Sequence, residues 1–190
     1  MSSRPEDAAY HEAGHCYVAV RDVGRVVDWM SIYEENNGWG GKTQIQPDFQ
    51  SLLSWTTIAI AGIVAEARAD ANRRFREPLV IASQLVEEVK RYVDAVVNAE
   101  KKKQTMKPIQ ITFRTSGGNE GVSAISPDDV QRMPPLYRDR LSLRTALEGA
   151  EEICRNPEHW GFIEELSQGL LAAPDHTLYR GDIEKILGLR

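Results

Sequence analysis

The sequence predicts a mainly helical single domain over residues 1–190, with a small β-hairpin next to a helix that carries the stretch HEAGH. Three observations carry that prediction. Apolar residues recur at helical spacing through most of the chain. Strand character is confined to short segments around residues 26–46 and 109–113. The 190 residues, 42% hydrophobic and 27% charged, suit one ordinary globular core.

The elements follow in order. Ser3 with Glu6 reads as a capping box, and Pro5 falls in the first turn, where its missing N–H is harmless, so a helix is expected from about Arg4 to Arg21. Val26 to Tyr33 is rich in β-branched and aromatic residues, Asn36-Asn37-Gly38 is a turn signal, and Lys42 to Gln46 returns as a second strand. Asp48 caps a helix over roughly Ser51 to Asp70, which the polar cluster from Asn72 to Glu77 ends. A long helix is expected from Pro78 to about Lys103, then a strand in IQITF after Pro108. The Gly, Ser and Asp content of TSGGNEGVSAISPDD marks a mobile loop, which can fold over a neighbouring cleft. From about Leu136 the chain reads as helical to its end, broken at Asn156-Pro157 and near Ala173-Pro174.

Composition excludes several functions. The net charge is -5 and the one dense cationic run is Lys101 to Lys103, which argues against a nucleic-acid surface. Cys16 and Cys154 lie far apart with no C-x-x-C spacing, so a disulfide framework is not expected and a cytoplasmic location is. MSSRPEDAAY lacks the apolar stretch of a secretory signal. Residues 52–65 are the most apolar segment, but they are shorter than the roughly 20 residues of a membrane span and read as a core helix.

HEAGH, residues 11–15, is the sharpest chemical signal. Side chains four apart on a helix share one face about 5–6 Å apart, so His11 and His15 can grip one metal ion. Zinc held by imidazoles lowers the pKa of a bound water to about 7, and a neighbouring carboxylate can take its proton as it attacks a carbonyl. That assigns His11 and His15 as ligands and Glu12 as general base. The bland alternative is a chance pentapeptide on a solvated helix. Against it, Ala8, Ala9, Ala13 and Gly14 permit close packing, and Tyr17, Val18 and Val20 carry the helix into a core. Cys16 is turned about 100° from His15 and reads as a small core residue. His159 and His176 lie beside helix starts, either as hydrogen-bonding groups or as a third ligand. Trp39, Gly40 and Gly41 fit an edge strand that binds an extended peptide by strand addition, or a plain hairpin.

With these residues assembled, the chain resembles the peptidase domain of the FtsH-type ATP-dependent zinc metalloproteases. AAYHEAGHCYVAV resembles that family's zinc helix, SIYEENNGWGGKTQ the strand and turn after it, AGIVAEARAD its small-residue segment ending in alanine and glutamate, and HTLYRGDIEKIL its C-terminal helix start. The resemblance implies a Zn2+ cofactor, a peptide or protein substrate, and ring-like homo-oligomers or a separate ATPase partner, since neither a GxxxxGK[ST] loop nor a spanning segment is present in the sequence. It also implies a ligand aspartate near the start of the helix after the alanine-glutamate segment, where Gln84 stands here. On a wheel of residues 81–97 Glu88 lies at the edge of the buried arc, and it is the expected replacement. Glu66, four residues before Asp70, competes as a ligand or as a carboxylate backing one. The expected activity is zinc-dependent peptide hydrolysis. The competing readings are a catalytically silent binding module on the same scaffold, and hydrolysis of another amide.

Overall fold

The computed structural model describes residues 4–35, 38–46, 52–71 and 77–189. Its order is α1 (Pro5–Tyr17), a π-helical turn (Val18–Asp22), β1 (Val27–Glu35), β2 (Gly38–Ile45), α2 (Leu52–Asp70), β3 (Leu79–Val80) and α3 (Ser83–Lys101). There follow β4 (Ile109–Thr115), β5 (Glu120–Ile125), α4 (Pro127–Arg132), a 3-10 turn (Pro135–Tyr137), α5 (Arg140–Arg155), α6 (Pro157–Ala172), β6 (Thr177–Tyr179) and α7 (Arg180–Ile186). The fold is mainly helical with two small antiparallel sheets, as the sequence predicts.

α2 sits at the centre. Residues 58–65 of this helix are buried on every side, which is why its sequence is apolar all round instead of striped. α1, itself packed against α6, covers one flank, α5 another, and β5 a third. The α1–α2 seam is closed by small residues: Gly14 of α1 meets Ala61 and Ala65 of α2, both fully buried. Gly14 is the tightest point: a Cβ there would stand 2.6 Å from the Ala61 carbonyl oxygen and 2.8 Å from Ala65 Cβ.

One sheet has the order β2-β1-β6, so β2 is an edge strand. Its register with β1 pairs Ile32 with Gly41 and Met30 with Thr43. The Ile32 N–H donates to the His176 carbonyl on the opposite side of β1. Backbone groups alternate sides along a strand, so Gly41 and Thr43 turn their N–H and C=O toward the open edge of β2. The second sheet, β3-β4-β5, lies over α2 through β5.

Several expectations are revised. Residues 120–125 form strand β5, and 127–132 form helix α4, where the sequence suggested a mobile loop. Both are tertiary structures: β5 pairs with β4 over its whole length, and Ser126 closes a capping box with Asp129. The third helix begins at Ser83 because Leu79 and Val80 pair with β4 instead. The C-terminal helices are interrupted by β6, which completes the first sheet. Ser3, the Asn36-Asn37 turn, the Asp48 cap and residues 72–76 lie outside the described residues. No helix among the described residues is long and apolar enough to cross a membrane. Cys16 and Cys154 are free and buried.

Two glycines test the packing account. Gly14→Ala should destabilise the fold by about 1–3 kcal/mol, because overpacking against helix backbone outweighs the gain in helix propensity. Gly149→Ala, in α5 with nothing near its Cβ position, should stabilise by about 0.5–1 kcal/mol. Urea titration of both variants would distinguish them by opposite shifts of midpoint.

Candidate metal centre

α1 delivers His11 and Glu12 to a cleft of about 990 Å³ that residues of β2 and α4 also line, and it buries His15 one turn on from His11. His11, Glu12 and His15 bring ligand-type atoms within 4.8 Å of one another, a group that could hold a metal ion. His15 is fully buried, and its Nδ1–H donates to the Ile58 carbonyl at 2.6 Å. A carbonyl can only accept, so the proton lies on Nδ1 and the Nε2 lone pair faces the centre. That Nε2 is buried with no hydrogen-bond partner. His11 is held similarly, with Nδ1 2.9 Å from Glu66 Oε2. Glu66 Oε2 is itself fixed from β5, accepting from Ser123 Oγ at 2.7 Å and from the Ala124 N–H at 3.1 Å.

The acid that joins the two imidazoles is Asp129. Its Oδ1 stands 3.4 Å from His11 Nε2 and 3.3 Å from His15 Nε2. Its Oδ2 accepts from the Ser126 N–H and Ser126 Oγ, both at 2.8 Å, so the capping box of α4 fixes the direction in which Oδ1 points. The sequence points away from Asp129 because the composition of residues 115–129 reads as a loop, and the resemblance places the acid on the helix that follows α2. The signal was present in Ser126-Pro127-Asp128-Asp129, a capping box with proline at the first helical position.

Glu88, the expected ligand, is not at the centre. α3 buries Leu85, Val89, Tyr92 and Val93, and leaves Glu88 half-buried on the flank of that stripe, in no contact with either imidazole. Gln84 is exposed in the first turn of α3. Glu66 backs His11 at its far nitrogen, one of the two roles open to it, while Asp70 instead accepts from the Val122 N–H. His176 and His159 stay away from the centre, where His176 stacks edge-on against Trp39 and His159 packs on Tyr17. Gly40 and Gly41 line the cleft with Glu12.

Electrostatics and space both favour a cation. Burial alone would push His11 down, but Asp129 and Glu66 together outweigh it and raise His11 to about 10. Asp129 is held well below the usual carboxylate range, because the His11 and His15 rings overcome its burial. His15 is pushed down by burial and by the nearby Arg132 guanidinium, which keeps it neutral. The centre therefore brings two Nε2 atoms to within 3.4 Å of one Oδ1 at one buried place. Gly62 makes room for it: a Cβ there would stand 2.6 Å from His15 Nε2 and 2.8 Å from His11 Cδ2. Two imidazoles, one carboxylate, and a carboxylate behind one imidazole form a donor set that fits a divalent cation and leaves its cleft side open.

Glu12 is 4% exposed, and its Oε2 accepts from Thr43 Oγ1 at 2.6 Å. β2 lies so close that a Cβ on Gly41 would stand 2.7 Å from Glu12 Oε1. The carboxylate is thus fixed beside the rings, with one oxygen within 4.8 Å of a nitrogen of each histidine.

No protein-family model matches this sequence, and no curated protein matches it.

The ligand assignment separates three carboxylates. By chelator competition, Asp129→Asn should weaken zinc binding by more than the roughly 10- to 100-fold expected of Glu66→Gln, which removes only the support behind His11. Glu88→Gln should leave affinity unchanged.

Proposed function

We propose that this protein is a zinc-dependent peptidase in which His11, His15 and Asp129 hold the metal and Glu12 is the general base. The observation that carries the reading is the orphaned, buried Nε2 of His15, which converges with His11 Nε2 and Asp129 Oδ1 beside a fixed carboxylate. Two imidazoles and one carboxylate match zinc's preference for three protein ligands at a site that acts on substrate. When bound, the ion supplies Lewis acidity, lowering the pKa of a water toward neutrality and polarising a carbonyl.

The chain's own groups do the rest. Glu12 accepts the proton of the attacking water and returns it to the departing amine, while Thr43 keeps the carboxylate aimed. The open edge of β2 suits an extended peptide: Gly41 presents its N–H and C=O there, directly beside Glu12, and strand addition uses such groups. Trp39 and Met106 give the cleft apolar walls for side chains. This edge favours peptides over other amides, and unfolded or loosely structured chains over compact ones. The silent-module alternative drew its support from Gln84, whereas the active reading is supported by Asp129, whose carboxylate stands beside both rings. The reading agrees with the resemblance to the FtsH-type peptidase domain, and a ring-like assembly or a separate ATPase that feeds substrate belongs to the same proposal.

Glu12→Gln should keep zinc at one equivalent while peptide hydrolysis falls by about 10²- to 10⁴-fold, the share of a positioned acid–base group. Metal analysis with a fluorogenic peptide assay tests this, and undiminished turnover would remove Glu12 from its role.

A further inference from the structure

Arg132 is the last residue of α4, one turn after Asp129. Residues three apart are neighbours on a helix surface, and both side chains line the cleft with Glu12 and Gly41. The guanidinium reaches across to β2, where Nη2 donates to the Thr43 carbonyl at 3.5 Å. Thr43 is also the residue whose hydroxyl aims Glu12. The other terminal nitrogen, Nη1, is buried and has no hydrogen-bond partner among the described residues.

That arrangement is costly for a purely structural clasp. Arginine is always charged and carries only donors, so a buried N–H without an acceptor is a standing penalty. A clasp between α4 and β2 needs Nη2 alone. That cost makes sense where negative charge develops between the centre and the guanidinium.

Strand geometry indicates what the free donor meets. Gly41 and Thr43 both face the open edge of β2, but the Thr43 carbonyl is already taken by Arg132. An extended peptide that pairs with Gly41 therefore meets a guanidinium where the ladder would otherwise continue, and that group needs an acceptor oxygen.

We propose that Arg132 is a catalytic residue whose Nη1–H donates to the carbonyl oxygen of the peptide bond being cleaved and stabilises the charge that builds there. This rests on the peptidase reading above. As the water oxygen bonds to the carbonyl carbon, its proton passes to Glu12 and the carbonyl π pair moves onto the oxygen facing Arg132. When that pair re-forms the double bond, the C–N bond breaks and the amine leaves with the proton from Glu12. A pre-positioned donor at a developing oxyanion is among the largest single contributions to such a barrier.

The test uses the zinc-loaded chain with an unstructured fluorogenic peptide. Arg132→Met should lower kcat by about 10²- to 10³-fold with KM nearly unchanged and zinc content intact. Arg132→Lys, which keeps the charge, should recover part of that loss and guards against misfolding of the first variant. A phosphonamidate peptide, whose tetrahedral anion copies the charged oxygen, should bind Arg132→Met weaker by a similar factor. The uncleaved parent peptide should bind Glu12→Gln equally well with or without Arg132→Met. A loss confined to KM, or unchanged phosphonamidate affinity, overturns the role of Arg132 while the peptidase reading stands. A wild-type protein that binds zinc but neither cleaves peptides nor binds the phosphonamidate overturns both.

Discussion

The structure depends on burying a cluster of ionisable groups whose charges must balance inside the core. Asp129 and Glu66 are each 3% exposed, and both lie against the imidazole of His11. An isolated buried carboxylate would be prohibitively costly, so each requires a positive partner. A proton on His11 supplies one such charge against two carboxylates, and His15 is kept neutral. A divalent cation with neutral imidazoles would offset Asp129 and Glu66, and leave the buried Glu12 carboxylate opposite the Arg132 guanidinium, which lines the same cleft. The chemistry of the centre and the electrostatics of the core therefore make the same demand.

That demand shapes the packing around it. Gly14, between Glu12 and His15, faces Ala61 and Ala65 of α2, and Gly62 of α2 faces the two imidazoles. Larger side chains on either helix would push the imidazoles away from Ile58, whose carbonyl sets the protonation of His15. β2 presses on the other side, where Gly41 leaves room for Glu12. Small residues at these positions let three backbones close around the polar groups. This dense packing of α1 and α2 holds each ligand to one rotamer.

The sequence reading reached what is local. Histidines four apart on one helix, a following hairpin, and an apolar helix carrying Glu66 all follow from spacing and propensity within a few turns. The missing parts are set by contacts between distant residues. β3 and β6 are two and three residues long and exist only because β4 and β1 pair with them. β5 alternates weakly, since Gly121 and Ser123 interrupt its apolar positions, yet Gly121 is there because a Cβ would run into the Ala67 carbonyl of α2. Glu88 lies apart from the two imidazoles for a related reason: a helical wheel gives the buried side of α3 but not which element that side meets. Asp129 could have been weighed from its capping box, but its 118-residue separation from His11 lies beyond any periodicity.

The carboxylate that the sequence hid is also the one on the least self-sufficient element. α4 has six residues, too few to be stable as an isolated helix in water. It persists because its ends are tied down: Ser126 and Asp129 satisfy the first turn, and Arg138 donates to the Met133 and Val130 carbonyls at the other end. Asp129 spends one oxygen on that cap and offers the other to the centre, so a cation bound there also fastens the helix start. His11 and His15, by contrast, ride on a thirteen-residue helix set into the core. Binding free energy and local folding free energy are therefore shared at Asp129, as they are wherever a ligand sits on a marginal element. Arg132 at the end of the same short helix inherits this dependence, so the order that fixes the ligand also fixes the guanidinium against β2.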